Sequence, residues 1–181
     1  AKQLPSLFRT IFKEALLPFK SPETLNLFLN EITYFNYKNS EELGNAFEYL
    51  LSTLGTQGDA GQFRTPRHII DFIVDVIDPK KTDTILDPAC GTAGFLISAF
   101  KHIAEAHDRV GADGKSNDEK RLTPIERKKI MENITGYDIS PDMVRLSLVN
   151  MYLHGSQYGL QNPNIVEYDT LSQTDRWDEK F

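Results

Sequence analysis

The chain has 181 residues, enough for one domain with a substantial core, and its composition of 40% hydrophobic and 25% charged residues is that of an ordinary globular protein. Its single cysteine excludes an internal disulfide and a cysteine-rich metal site, and its net charge of −6 argues against strong nucleic-acid binding by this chain alone. It contains no run of about 18 apolar residues and no signal peptide, which predicts a cytoplasmic protein without a membrane span.

Residues 1–58 are predicted to be helical. Two stretches space their apolar residues three and four apart, as one face of a helix requires. These residues are Leu7, Phe8, Ile11, Phe12, Ala15 and Leu16 in the first stretch, and Leu43, Ala46, Phe47, Leu50 and Leu51 in the second. Gly55 is expected to stop the second helix. We interpret residues 1–58 as a small helical domain and residues 59–181 as the start of a second domain.

The second domain is predicted to open with a helix. Thr65 is expected to cap it, Pro66 suits its first position and Pro79 ends it. Its expected apolar face consists of Ile69, Phe72, Ile73, Val76 and Ile77. A short apolar strand follows at 82–87, and then a second helix at 93–107.

The rest of the chain continues the alternation of helices and strands. Residues 107–122 are polar and predict a mobile loop, after which Thr123 and Glu126 form the capping box of a helix. Strands are predicted at 134–138 and 164–169. Between them lies a helix with Ser140 as cap, Pro141 first and Gly155 as stop. "WDEKF" at 177–181 is typical of the approach to a fourth strand. The fold class is therefore α/β, with a parallel sheet that is incomplete in this chain.

Three acidic residues follow the predicted strands: Asp87, Asp138 and Asp169. Ligands of open α/β sheets bind at the carboxyl ends of the strands. The loop "DPACGTAG" after the first strand is not a dinucleotide fingerprint, and its leading carboxylate would repel a pyrophosphate. It suits a cationic ligand with amines and hydroxyls, such as S-adenosylmethionine. Gly91 and Gly94 would let that ligand approach the backbone, and Asp138 would grip a ribose diol.

These motifs carry a family resemblance. "DPACGTAGFL" resembles the cofactor loop of N6-adenine DNA methyltransferases, and "GQFRTPR" at 61–67 resembles the segment before that loop in modification subunits of type I restriction–modification systems. "GYDIS" at 136–140 and "YDTL" at 168–171 match the next two motifs in family order. The resemblance implies a Rossmann-like class I S-adenosylmethionine-dependent methyltransferase domain, preceded by a small helical domain.

The resemblance also implies a set of cofactor-binding residues. They are Gln62, Phe63, Arg64, Thr65, Pro66 and Arg67 near the methionine end; Asp87, Gly91, Thr92, Ala93 and Gly94 around methionine and ribose; Asp138 and Ile139 at the ribose; and Asp169 and Leu171 at the adenine. Ala93 departs from the glycine of many members, which costs little if the residue is not at positive φ.

The implied activity is N6-methylation of adenine in double-stranded DNA with S-adenosylmethionine, in a complex with a specificity subunit and a restriction subunit. The family places Asn-Pro-Pro-Phe or Asn-Pro-Pro-Tyr after strand four, and the 181 residues contain neither. We therefore expect this chain to hold the cofactor-binding half, to carry no catalytic residue and no metal site, and to be inactive even with partners and cofactor supplied.

Two alternatives stay open at this point. The chain could belong to a class I methyltransferase that acts on RNA or on protein glutamine, or it could be a non-catalytic assembly module. The position of "GQFRTPR" before the cofactor loop argues against the first alternative. The joint presence of Asp87, Gly91, Asp138 and Asp169 argues against the second. Cys90 is interpreted as a small packed residue and not as a nucleophile.

Overall fold

The computed structural model describes residues 6–13, 15–16, 18–34, 40–55, 64–108, 122–155 and 163–172. Within these ranges lie helices α1 (Ser6–Ile11), α2 (Pro22–Tyr34), α3 (Ser40–Gly55), α4 (Arg67–Ile77), α5 (Gly94–Asp108), α6 (Pro124–Glu132) and α7 (Pro141–Gly155), and strands β1 (Ile85–Asp87), β2 (Ile134–Asp138) and β3 (Asn164–Glu167).

The three strands form one parallel sheet in the order β1-β2-β3. Ile85 lies opposite Ile134, and Gly136 lies opposite Ile165. In a parallel sheet all carboxyl ends meet at one edge, so the residues after the three strands are neighbours in space. This confirms the predicted α/β class, with helices α5 and α7 as crossover connections.

The core lies around α5, whose side chains Leu96, Ile97, Phe100 and Ile103 are nearly inaccessible to solvent. The same buried cluster includes Ile134 of β2, together with Met151 of α7 and Leu7 and Ile11 of α1. Helices α1 and α3 both pack on α7. Helices α1 and α3 are therefore joined to the sheet through α7.

The predicted starts of α6 and α7 are confirmed. The Thr123 hydroxyl accepts a hydrogen bond from the Glu126 N–H, and the Glu126 carboxylate accepts one from the Thr123 N–H, which completes the capping box. The Ser140 hydroxyl accepts from the Met143 N–H at 3.4 Å, and α7 ends at Gly155 as expected. Both caps satisfy backbone donors that a helix start leaves unpaired.

Helix α4 differs from the prediction in its cap and in its buried face. Its N-cap is Pro66, without a side-chain hydrogen bond, so the expected cap by Thr65 is wrong. The side chains that pack are Ile70 and Val74, against Ala99 of α5. The face predicted to be buried is exposed in the structure, and it consists of Ile69, Phe72, Ile73, Val76 and Ile77. The apolar residues of α4 form one broad side, and only the edge of that side that carries Ile70 and Val74 packs on α5, which the periodicity could not predict.

The prediction for the N-terminal region also overestimated the length of the first helix. Helix α1 ends at Ile11, and Phe12 and Leu16 are exposed. On α3 the predicted apolar residue Leu50 is exposed as well. The residues Gln62 and Phe63, most of the predicted loop, at 109–121, and the segment 177–181 lie outside the described residues. In the described part of the chain, no helix is long and apolar enough to cross a membrane.

Gly44 of α3 lies against the buried ring of His154 on α7. A Cβ at position 44 would meet three ring atoms of His154 at 2.7, 2.8 and 2.9 Å. We predict that Gly44→Ala destabilises the protein by about 2 kcal/mol, because the ring has no room to move in a packed interface. Chemical denaturation measures the change. The neighbouring exposed substitution Asn45→Ala should have little effect, and equal loss in both variants would contradict this α3–α7 packing.

Candidate functional site

The Asp138 carboxylate, at the end of β2, joins two loops at the carboxyl edge of the sheet. One oxygen accepts a hydrogen bond from the Gly91 N–H at 2.9 Å, and the other accepts one from the Ser140 N–H at 2.9 Å. Gly91 belongs to the loop at 88–93, here called the glycine loop, which follows β1 and precedes α5. The loop is also held by a hydrogen bond from the Cys90 N–H to the Tyr137 carbonyl at 2.8 Å. Strand β2 therefore fixes the position of the loop that follows β1.

Asp87 ends β1 beside this loop. Its Oδ1 accepts a hydrogen bond from the Ala89 N–H at 3.1 Å. Burial raises the pKa of Asp87, the Ala89 N–H partly opposes that effect, and the nearby charge of Asp138 adds to the increase. Two carboxylates in one half-buried place create a negative potential that favours a cation.

The two glycines of this region serve different purposes. Gly91 has φ +54°, and a Cβ added to it would meet no heavy atom within 4 Å. Position 91 therefore needs glycine for its backbone conformation, and its surface is open. A Cβ at Gly94 would meet Ile70 Cδ1 at 3.1 Å, so glycine at 94 allows α4 to pack closely on α5.

Ala93 occupies the left-handed region, with φ 65°. From the sequence, alanine is expected to cost little at this position only if this φ is not positive. Because the φ of Ala93 is positive, the expectation of a small cost is wrong. The Ala93 N–H donates to the Cys90 carbonyl at 2.7 Å, and the Ala93 carbonyl accepts from the Ile97 N–H at 2.9 Å. These bonds hold a conformation that costs a non-glycine residue about 1–2 kcal/mol.

Cys90 is buried inside the glycine loop. Burial, followed by the charges of Asp87 and Asp138, raises the pKa of the Cys90 thiol to about 12. The thiol is therefore protonated at neutral pH, as a small packed residue should be, and is not a nucleophile.

The end of β3 lies next to the end of β2, because the Tyr168 N–H donates to the Asp138 carbonyl at 2.9 Å. Asp169 Oδ1 accepts a hydrogen bond from the Leu171 N–H at 3.0 Å, which closes a short turn. Leu171 is 93% exposed and Ile139 is 67% exposed. Two apolar side chains in solvent at this edge are available to cover an apolar ligand surface.

The segment 64–67 before α4 contacts the N-terminal helices. Arg67 Nη1 donates to both oxygens of Glu48 on α3, at 2.8 and 2.7 Å, and its Nε donates to Asp71 at 3.1 Å. Burial lowers the pKa of Arg64, and the charge of Glu48 opposes that change. Thr65 and Pro66 are exposed. Arg67 is therefore engaged by two protein carboxylates, while Thr65 has an accessible side chain.

Sequence reasoning missed that buried and half-buried polar side chains of α3, α4 and α7 meet next to the glycine loop. We call Glu48, Arg67, Asn150 and His154 the polar cluster. Asn150 Nδ2 donates to the Thr92 carbonyl at 2.8 Å, and His154 Nε2 lies 3.6 Å from Glu48 Oε1. A signal was present in α7, where Ser147, Asn150 and His154 recur at helical spacing. This spacing indicates a buried polar contact only when that face of α7 is already known to be buried.

The polar cluster predicts a pH dependence of stability. Burial alone would raise the pKa of Glu48, but His154, Arg67 and Lys101 outweigh it and lower the pKa from 4.5 to about 2. A depressed carboxyl pKa contributes stability that is complete above about pH 4.5 and lost as the pH falls to about 2. We predict that Glu48→Gln is less stable than the wild type at pH 7, by on the order of 2–3 kcal/mol, and equally stable near pH 2.

Urea unfolding at a series of pH values tests this prediction. The substitution Glu105→Gln removes an exposed carboxylate from α5 and should leave the wild-type profile unchanged. A stability difference between wild type and Glu48→Gln that stays constant from pH 7 to pH 2 would show that the charge of Glu48 is not what stabilises the cluster.

Comparison with known proteins identifies the family. Residues 38–181, more than half of the chain, match the N-6 DNA Methylase family. The methylase subunit of the type I restriction enzyme EcoEI from Escherichia coli is 32% identical over 173 residues, which are 93% of this chain and 32% of that protein. RM.BcgI from Heyndrickxia coagulans, described as a type II restriction enzyme and methyltransferase, is 31% identical over 129 residues, 70% of this chain and 18% of that protein.

A solved structure agrees with these relatives. A modification subunit of a proposed type I restriction enzyme from Vibrio vulnificus YJ016 superposes with a TM-score of 0.68 at 28% identity, covering 90% of this chain and 31% of that one. The chain therefore belongs to the N-6 DNA methylase family, and it spans about a third of the length of the curated relatives it matches most fully.

Proposed function

We propose that the chain forms the cofactor-binding part of the modification subunit of a type I restriction–modification system. The whole protein would methylate N6 of adenine in double-stranded DNA with S-adenosylmethionine. It would act with a specificity subunit and a restriction subunit. The observation that carries this proposal is the pairing of Asp87 and Asp138 around the open backbone of Gly91.

The residues present fit S-adenosylmethionine. Its sulfonium and ammonium groups are positive, and the two carboxylates offer the negative potential that such a ligand needs. An ionised carboxylate has about four acceptor positions, and each Asp138 oxygen uses one for a backbone N–H. The remaining positions would accept from the ribose hydroxyls, and the absence of a Cβ at Gly91 would let the ligand lie close to the loop.

The end of β3 supports a place for the adenine ring. Asp169 Oδ1 holds the Leu171 N–H, which leaves acceptor capacity on the carboxylate for an exocyclic amino group. The exposed side chains of Ile139 and Leu171 would cover the faces of the ring. Residues 62–67 would complete the methionine end, with the exposed Thr65 as the side chain available for contact.

The bound cofactor would supply an activated methyl group for direct transfer to the adenine amino nitrogen. This chain's own residues would bind and orient that group: Asp138 through the ribose, and Asp87 through the charge next to the sulfonium. Positioning is a large part of catalysis when no covalent intermediate is needed. The target base would be flipped out of the duplex, and the residues that hold it would lie in the Asn-Pro-Pro-aromatic motif that these 181 residues lack.

Asp87→Asn tests the proposal because it should raise the thermal stability of the protein and lower its affinity for S-adenosylmethionine. The raised pKa of Asp87 means that its ionised form destabilises the folded state above that pKa, so removing the charge should raise the thermal stability of the ligand-free protein. The same change should weaken S-adenosylmethionine binding about tenfold, because the cation loses a carboxylate. Asn keeps the oxygen that accepts from the Ala89 N–H.

Calorimetry and thermal melting of the full-length protein measure these two effects. The exposed α5 variant Glu105→Gln is the control and should change neither. Wild-type binding should also weaken as the pH falls through the raised pKa of Asp87, while binding to Asp87→Asn should not. Tighter or unchanged binding in Asp87→Asn would overturn the assignment of this site.

We also predict that the 181-residue chain transfers no methyl group to DNA, even with the other subunits and S-adenosylmethionine supplied. An adenine amino group is a poor nucleophile and needs acceptors and an aromatic face, which the family's tetrapeptide supplies and this sequence lacks. Transfer of a labelled methyl group to DNA compares the 181-residue chain with the full-length protein, both with the other subunits present. Equal activity would mean that the catalytic centre lies within residues 1–181.

A further inference from the structure

We propose that Asn150 and Glu48 are positioning residues that set the affinity of the glycine loop for S-adenosylmethionine from the N-terminal helix α3. The inference rests on the proposed function, because it assigns a role to residues around the same site. Neither side chain would touch the ligand. Asn150 would act through the Thr92 carbonyl of the glycine loop, and Glu48 would act through the Arg67 guanidinium and the Asn150 amide.

Asn150 is the direct link to the loop. It is 1% exposed, and its Nδ2 donates to the Thr92 carbonyl at 2.8 Å and lies 3.4 Å from Glu48 Oε1. Both neighbours are acceptors, so the amide nitrogen must face them and the orientation of the side chain is determined. The Thr92 carbonyl is thus held by a donor on α7, one residue after the open backbone of Gly91.

Asn150 makes this contact at a cost. Among the described residues, its Oδ1 is buried and has no hydrogen-bond partner. A buried unpaired acceptor destabilises the folded state, so an apolar residue on this face of α7 would pack more favourably. An amide at position 150 is therefore explained by its donor side, which holds the glycine loop, and not by stability.

Glu48 joins this contact to the other predicted ligand-binding segment. Its carboxylate accepts two hydrogen bonds from Arg67, at the end of segment 64–67, and faces the Asn150 amide. One side chain on α3 is thereby in contact with the segment before α4 and, through Asn150, with the glycine loop. This is a half-buried, charge-assisted contact in which Nη1 of Arg67 reaches both oxygens of Glu48. The distance between the two segments consequently depends on α3.

A pair of variants separates positioning from stability. Asn150→Asp replaces the donor with a carboxylate that faces the Thr92 carbonyl and Glu48, so it should destabilise the fold and weaken S-adenosylmethionine binding at least tenfold. Combining it with Glu48→Gln removes the repulsion between the two carboxylates and should restore the part of the stability lost to that repulsion, leaving the loss that Glu48→Gln causes by itself. The bond to Thr92 remains lost, so the affinity should stay about tenfold below wild type, which is about 1.4 kcal/mol.

The measurements use the full-length protein. Calorimetry gives the affinity for S-adenosylmethionine, and thermal melting gives the stability. Amide hydrogen exchange of the ligand-free protein follows the Gly91 and Ala93 N–H groups, which donate hydrogen bonds to Asp138 and to the Cys90 carbonyl. The control is Asn30→Asp, the same chemical change on the exposed surface of α2, which should alter none of the three. In both variants the two loop amides should exchange at least tenfold faster than in the wild type.

The outcomes are distinct. Affinity that returns to the wild-type value together with stability in the double variant would overturn the inference, as would unchanged exchange at Gly91 and Ala93. If Asn150→Asp does not fold, the double variant and Asn150→Ala, which removes the whole amide without adding a charge, decide by the same criteria. A wild-type protein that does not bind S-adenosylmethionine overturns the proposed function itself. Wild-type binding with unaltered affinity in the variants overturns the positioning role alone.

Discussion

The carboxylate of Asp138 is the constraint on which the rest of the site depends. It is fixed at the end of β2 and accepts the N–H groups of Gly91 and Ser140, so one side chain closes the loop after β1 onto the loop after β2. Burial raises the pKa of the neighbouring Asp87, and the nearby charge of Asp138 adds to that increase. The same carboxylate therefore fixes the glycine loop and places a second negative charge near Asp87, which a bound cation would stabilise.

The structure contains several other features that cost stability around this site. Ala93 lies at φ 65°, and Asn150 carries a buried acceptor without a partner in the described part of the chain. Such costs persist only where surrounding contacts determine the conformation, and they collect at functional sites. Here the surrounding contacts come from the core of α5 and from the polar cluster, in which Glu48 and Arg67 join α3 to the start of α4.

Much of the fold could be predicted because its signals are local. The capping box of Thr123 and Glu126, and the start of α7 after Ser140, follow from residue types at fixed spacing. The packing of α4 could not be predicted, because its apolar residues form one broad side and the choice of the edge with Ile70 and Val74 depends on α5. For the candidate site, the acids at strand ends could be found from sequence since strand ends share an edge. The contact of Asn150 with Thr92 joins residues far apart in the chain, and no local pattern reveals it.

The central claim is that a cationic cofactor binds where Asp87, Gly91 and Asp138 meet. A crystal structure of the full-length protein with S-adenosylmethionine tests it most directly. We expect ligand density over Gly91, with ribose oxygens at hydrogen-bond distance from Asp138, about 2.5–3.0 Å. Density for the ligand at any other place in the protein, with the surface of Gly91 open to solvent, would contradict it.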